Sequence, residues 1–474
     1  MNAVNPPRWR ALVVLATAQF MVIMDTSIIG VALPDMQRDL GFSPGALQWV
    51  FNAYVIAFGG LLLLGGRLSD IFGARRIFTA GWLILIAGSA VAAVANSPWV
   101  EILGRGVQGV GGALIAPASM TLLMMLFSHD SRELGKAMAL YGAAAPAGGT
   151  AGVFLGGVVI EYLSWPWVFV VYIPIGIATL LAVPALLPAV AGRRGSVDVL
   201  GGLVVTAGIA LAVFAIVRAP EQGWGSAATL LELAGAVVLL TVFLLVQRVI
   251  REPLMPPAVW RTPGLAVANL AMALLGAAWI PMWYFLNLYL QQVLGYSAFP
   301  SGAALLPMTI AIMIFMIGIT ARLLGRFGAK PLIVIGLAVL AAGVAWLSLV
   351  RPDGTFTADV LPASLAAAVG MSLAYIPAMM SAISGARPEE SGLASGIVNT
   401  TYQIGSALGL AVTTALAATG GADSPAALTG GFQAAFVGAA VLAATGAVLT
   451  LLLMRRPKPA TPAAVGAEAT SVQV

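Results

Sequence analysis

The chain has 474 residues, of which 60% are hydrophobic and only 9% charged, and its mean hydropathy is +0.99. Soluble domains carry about 25% charged residues, so this chain lacks the polar surface of a water-soluble enzyme and reads as a membrane protein. Cysteine is absent and His129 is the single histidine, which excludes disulfides, thiolate chemistry and a histidine-rich metal site; the net charge of +5 bears on topology rather than on nucleic acid.

About 20 apolar residues cross a bilayer core as a helix. Such stretches run in chain order over 11–33, 47–66, 77–96, 99–127, 134–160, 165–187, 198–217, 228–248, 264–290, 300–322, 331–350, 360–384, 393–418 and 432–454. They predict an all-α membrane protein with 14 transmembrane helices. The runs are too long and too uniform for strands. Polar joints separate them, for example Asp35–Pro44, Ser128–Glu133 and Arg351–Asp359. With the N-terminus in the cytoplasm, 19 of the 23 Lys and Arg fall on the inner side. Arg38, Arg218 and Arg351 fall outside, and Arg105 lies within a helix. This asymmetry predicts both termini cytoplasmic. The first stretch has no small-residue cleavage site after it and reads as a retained helix. The tail 455–474, rich in Ala, Pro and Thr, is expected to be disordered and cytoplasmic.

The chain repeats internally. Arg67 to Arg76 reads RLSDIFGARR after helix 2, and Arg322 to Pro331 reads RLLGRFGAKP after helix 10. The two match at an offset of 255 residues, which is eight helices rather than six. Two additional helices therefore lie between two six-helix bundles. The expected units are an N-terminal bundle at 1–192, two extra central helices at 193–252, and a C-terminal bundle at 253–454. Paired bundles of this kind are typical of secondary transporters, with the solute site between the halves near the bilayer midplane.

No nucleotide site is visible. None of Lys136, Lys330 and Lys458 sits in a phosphate-binding loop, so transport is expected to run on an ion gradient or to be passive, with a proton gradient as the expected energy source and no cofactor. Proton coupling needs an ionisable group in the membrane. Asp25 lies about eight residues from the outer end of helix 1, or about 12 Å deep, where a carboxylate costs roughly 2.5–3.5 kcal/mol. Arg105, the one intramembrane cation, is at a similar depth, about 9 Å. It is expected to respond to the charge of Asp25 or of the solute. Glu101, one turn earlier, is the alternative partner and a possible switch partner. A structural Asp bonding neighbouring helices is the competing reading of Asp25.

No acid lies within helices 9 to 14; that half offers aromatics and amides. Trp279, Trp283, Asn287 and Gln291 recur every four residues on helix 9, and Asn399 to Gln403 form a polar patch on helix 13. Together with Asn52 and Gln108, the residues Trp279, Trp283, Asn287, Asn399 and Gln403 are taken to line a cavity for bulky, amphipathic or cationic molecules. An interfacial belt or simple packing is the competing reading for the tryptophans. Gly109 and Gly112, with Gly148, Gly152 and Gly156, have small-xxx-small spacing and mark close helix contacts.

The motifs resemble those of the major facilitator superfamily, and most closely its 14-helix drug/proton antiporter branch. The resemblance spans about residues 8–455. Its carriers are MDTSIIGVALP (Met24 to Pro34), QWVFNAY (Gln48 to Tyr54) leading into GGRLSDIFGARR (Gly65 to Arg76), LGRGVQGVGGA (Leu103 to Ala113), WPWVFVVYIPIG (Trp165 to Gly176) and GLASGIVNTTYQIG (Gly392 to Gly405). The resemblance implies a cytoplasmic gate at Gly66, Asp70, Gly73, Arg75 and Arg76. It also implies alternating access and export of drugs or antibiotics in exchange for protons across the cell membrane. The chain departs from the pattern at Val153, Gly30 and Tyr172, where Pro, Asn and Asn are usual. The first departure keeps proton-coupled uptake of a small nutrient open, and a membrane sensor without flux is a further alternative. The expected partners are a small organic solute, protons and lipid, without nucleic acid; a monomer is compatible with all of this.

Overall fold

A computed structural model describes residues 8–127, 130–189, 198–251, 253–255, 264–384, 391–418 and 424–454. His129, the boundary at 192–193, residue 252 and the tail 455–474 lie outside the described residues. Among the described residues, thirteen helices are long and apolar enough to cross a membrane. They are α1 (Arg8–Leu40), α2 (Gly45–Phe72), α3 (Ala74–Ala93), α4 (Pro98–Phe127), α5 (Ser131–Tyr162), α6 (Trp167–Leu186), α7 (Val199–Gln222), α8 (Ala227–Val246), α9 (Leu265–Val293), α10 (Ala298–Thr320), α11 (Ala329–Leu347) and α12 (Phe356–Ala382), with α14 (Pro425–Leu453) the thirteenth. Between the last two lies α13 (Ser391–Ala417). Its 27 residues span about 40 Å at 1.5 Å per residue. It is long enough to cross but less apolar, because Asn399, Thr400, Thr401 and Gln403 interrupt it.

The eight-helix offset of the repeat recurs in the packing. The glycines of α5 meet the backbone of α1: Gly152 faces Met24 O and Gly156 faces Ile28. Their counterparts on α13, Gly405 and Gly409, meet Ala273 and Ala277 of α9. Gly104 and Gly111 of α4 sit against Ala92 and Leu85 of α3, as Gly370 of α12 sits against Gly336 and Leu340 of α11. Without a Cβ, backbones approach closely enough for dispersion to hold them in lipid. The tight seams are thus α1–α5, α3–α4 and α2–α4, and α4 and α5 are not each other's main partners.

The loop repeat has a conformational basis as well. Gly73 ends α2 with φ +89° and Gly328 follows Phe327 with φ +79°. A residue with a Cβ is strained there, so each Gly-Ala pair turns the chain sharply into the next helix. The helix pair α7–α8 packs on itself through Gly208 and Leu240. α7 also leans on α2 through Thr206 against Gly60, and touches α13. The extra pair therefore bridges one helix of each bundle.

The proximal face is defined by the start of α1 and the distal face by its end. α1 is longer than its hydropathy predicts and continues through Pro34 to Leu40. At the distal face the bundles are tied together. Gln291 Nε2 donates to Val31 O at 3.2 Å, Gln292 Nε2 to Gln37 Oε1 at 3.1 Å, and Phe299 N to Glu161 Oε2 at 3.3 Å.

Candidate functional site

Asp25 is on α1, fifteen residues before its end at Leu40, so it lies about 22 Å along the helix from the distal end, deeper than the sequence estimate. It is fully buried, as are Glu101, Arg105 and Gln108 of α4. Arg105 Nη1 donates to Asp25 Oδ2 at 2.7 Å and to Gln108 Oε1 at 2.7 Å, while its Nε donates to Val50 O at 2.8 Å. Gln108 Nε2 then donates to Ser89 Oγ at 2.8 Å. The guanidinium stands 4.7 Å from the Tyr54 ring centre and 5.9 Å from that of Phe169. α1, α2, α3, α4 and the first turn of α6 thus all contribute to one buried charge cluster. The Arg105–Glu101 pair that the four-residue spacing allowed is not formed, and neither Glu101 oxygen has a partner.

Close by, and separate from the cluster, is a cavity of about 220 Å³ between the bundles. Trp279, Trp283, Tyr375, Tyr402, Phe51 and Tyr54 give it aromatic walls, with Met308, Met316 and Met371 as flexible filler. Thr26, Ser27, Thr150, Thr309 and Gln403 supply polar points, and none of its lining residues is charged. Tyr54 belongs to both places: one face of its ring carries Arg105, and its side chain lines the cavity. Its hydroxyl donates to Val22 O of α1 at 3.3 Å.

The sequence-selected residues therefore divide. Trp279, Trp283 and Gln403 line the cavity. Asn52, Gln108 and Asn287 do not. Asn52 is buried and donates to Gln48 Oε1 at 3.3 Å. Gln108 belongs to the arginine cluster. Asn287 bonds back to Trp283 O at 2.9 Å. Asn399 is half-buried on α13 and outside the cavity lining. The four-residue stripe on α9 drifts, as a period of 3.6 requires, and by Asn287 it has turned out of the cavity. Tyr54, Tyr375 and the methionines were missed. Tyr54 stood within the quoted QWVFNAY motif, but no spacing rule distinguishes a tyrosine bearing a cation from one in the core.

The departures acquire physical reasons. A Cβ on Gly30 would collide with the Trp283 ring, so the indole fills the room an asparagine would take. Tyr172 is buried with its hydroxyl directed at the Asp25 carboxyl. Val153 lines the cavity and abuts Gly302 of α10. At the proximal face, Arg75 Nη1 donates to Leu187 O at 3.2 Å within its own bundle, while Asp70 and Arg76 are exposed. Gly66 lies in ordinary contact with Pro117.

Comparison with known proteins gives a family. The model of the Major Facilitator Superfamily matches residues 15–410 and 375–473. The cephamycin export protein CmcT of Amycolatopsis lactamdurans is 40% identical over 447 residues, covering 94% of this chain and 92% of that protein. The puromycin resistance protein pur8 of Streptomyces alboniger is 39% identical, covering 86% and 81%. The tetracenomycin C resistance and export protein of Streptomyces glaucescens is 32% identical, covering 85% and 75%. Among solved structures, a mutant form of the nucleoside transporter NupG superposes with a TM-score of 0.65 at 14% identity, covering 94% of this chain and 99% of its own. A proton-dependent oligopeptide transporter gives 0.64 at 17% identity, covering 94% and 98%. These two show the fold alone. A membrane-spanning helical chain with paired bundles, matched by the family model over nearly its whole length, this protein belongs to the Major Facilitator Superfamily and is a transporter, not an enzyme.

Proposed function

We propose that the chain exports an amphipathic or cationic antibiotic-like molecule from the cell in exchange for protons, by alternating access. The observation that carries the reading is the buried Asp25–Arg105 pair, set apart from an uncharged aromatic cavity by the ring of Tyr54. Relatives named for export of, or resistance to, cephamycin, puromycin and tetracenomycin C support the direction and the substrate class. The cavity's uncharged, aromatic walls suit a flat or cationic organic molecule. The positive-inside asymmetry supports cytoplasmic termini in the cell membrane. On that reading the distal face is outside, and the molecule described is closed to the exterior.

Protonation of Asp25 removes the anion opposite Arg105. The guanidinium then loses its strongest contact, and the Tyr54 ring it rests on is a cavity wall. Charge at Asp25 and occupancy of the cavity are therefore linked through one side chain without competing for the same atoms. One proton crossing about 100 mV yields about 2.3 kcal/mol, roughly fifty-fold in concentration; a pH unit adds about 1.4 kcal/mol. One carboxyl can thus supply a useful gradient. Inverted vesicles containing the chain should accumulate puromycin when acidified inside, and discharge it when a protonophore is added. Accumulation in right-side-out vesicles under an inward proton gradient would instead establish uptake and overturn the reading.

A further inference from the structure

The arginine cluster holds an imbalance that the single pair does not explain. Arg105 has five N–H groups. Its Nε and Nη1 meet Val50, Asp25 and Gln108, but Nη2 has no acceptor. Asp25 meets the guanidinium through Oδ2 alone, and the Tyr172 hydroxyl lies beside its carboxyl. The salt bridge is therefore made with one arm, although a carboxylate and a guanidinium can pair through two. One helical turn away, Glu101 is as fully buried as the pair, and both its oxygens lack a donor. Residues four apart share a helix face, so the spare arm of Arg105 and the spare carboxyl of Glu101 belong to one strip of α4. Buried polar groups in folded proteins are nearly always hydrogen-bonded. An unpartnered donor on Arg105 and two unpartnered acceptors on Glu101, one turn apart, mark a site built for more than one arrangement.

Position gives the two carboxyls different tasks. Glu101 lies in the first turn of α4, which begins at Pro98 on the distal face. Arg105 and Asp25 lie farther in. A proton entering from the distal face meets Glu101 first. The charged and titratable groups facing Glu101 are Arg105 of its own helix and Asp25 of α1. Tyr54 of α2 and Tyr172 of α6 complete the surroundings of Asp25.

We propose that Glu101 is a second proton-carrying group of the transport cycle, with Arg105 passing between Asp25 and Glu101 as the proton moves between them. The proposal rests on the proton-exchange reading above. In one arrangement Asp25 is the carboxylate held by Arg105, and Glu101 carries the proton. When that proton passes to Asp25, Glu101 becomes the carboxylate, and the Nη2 hydrogens turn to it. One proton is transferred, one guanidinium changes partner, and the total charge of the three groups stays constant. Arg105 need move only along its own strip of α4, withdrawing from Asp25 while Asp25 is neutral.

The test uses the full chain reconstituted in liposomes with puromycin as probe. Puromycin accumulation driven by a pH gradient is compared with gradient-independent exchange of puromycin for puromycin. Glu101→Gln keeps shape and burial but carries no proton. It should lower gradient-driven accumulation at least tenfold while leaving exchange within about twofold, and Glu101→Asp should restore part of the driven rate. In pH-difference infrared spectra, the carboxylic-acid signal lost in Glu101→Gln should be distinct from that lost in Asp25→Asn. Undiminished driven transport in Glu101→Gln would overturn the proposal. Equal loss of driven transport and exchange would also overturn it, since that is the mark of a merely structural residue. The reading of Asp25 stands or falls separately, on Asp25→Asn in the same two assays.

Discussion

At the scale of single residues, the decisive feature is that the buried charges and the uncharged cavity are separate and share a wall. Tyr54 is that wall, and its ring and its hydroxyl can be tested apart. Tyr54→Phe retains a face for the guanidinium and loses only the bond to Val22 O; it should keep at least a third of the proton-driven rate. Tyr54→Ala removes the face and should uncouple the two, leaving puromycin exchange while gradient-driven accumulation falls about tenfold or more. Equal behaviour of the two variants in vesicles would remove Tyr54 from the coupling path. Gly30 gives a second residue-scale test. Gly30→Ala places a methyl in the Trp283 ring, and overpacking of that kind costs about 1–3 kcal/mol. A lowered melting temperature in Gly30→Ala, recovered in the double variant with Trp283→Ala, is the expected signature. Additive losses would show that the two residues do not meet. Of these residues, Asp25 and Arg105 were legible in the sequence because a charge in an apolar run is costly and rare. Asn52, Gln108 and Asn287 were misplaced as cavity residues because helical spacing gives a face, not the neighbour that the face meets.

At the scale of elements, the α1–α5 seam is the feature most open to test. Gly152 brings α5 onto the backbone of Met24, next in sequence to Asp25. A larger side chain here would push α1 away and displace the carboxyl from Arg105. Gly152→Leu is expected to lower the melting temperature and abolish driven transport together. The same substitution at Gly142, whose Cβ would meet nothing within 4 Å, should leave both nearly unchanged. A tolerated leucine at 152 would contradict the packing. The small-residue spacing was visible in the sequence, but its partner helix was not. Spacing places the glycines on one strip; only the fold shows that α5 spends that strip on α1 and that α4 spends its own on α2 and α3. The reach of α1 was also understated. Asp35, Gln37 and Arg38 lower the hydropathy without ending the helix, and Pro34 lies inside it.

At the scale of the whole molecule, the repeat joins sequence to architecture. Two loop motifs at an eight-helix offset predicted paired bundles with an insertion, and the glycine seams of α1–α5 and α9–α13 bear the same relation. The insertion is the part the sequence left unexplained, since α7 and α8 are apolar runs with few polar marks. In the structure α7 spans from α2 to α13. Asp198 caps it by accepting from Gly201 N at 2.7 Å and also accepts from Gln247 Nε2 at 2.5 Å, while Gln247 Oε1 takes Met255 N at 3.0 Å. Asp198 thus links the start of α7 to the end of α8, and Gln247 carries the link on to the approach to α9. Asp198→Ala should destabilise by about 1–2 kcal/mol through loss of the cap alone, seen as a lower melting temperature in detergent. An unchanged melting temperature would mean that the extra pair is not anchored there.

The claim on which the mechanism depends is that Asp25 is the reversible charge of the transport cycle. Puromycin movement in liposomes, compared between the native chain and Asp25→Asn under an imposed pH gradient and in its absence, tests this most directly. The account predicts that the variant equilibrates puromycin but no longer concentrates it, whatever the gradient. An Asp25→Asn protein that concentrates puromycin as steeply as the native chain would contradict it.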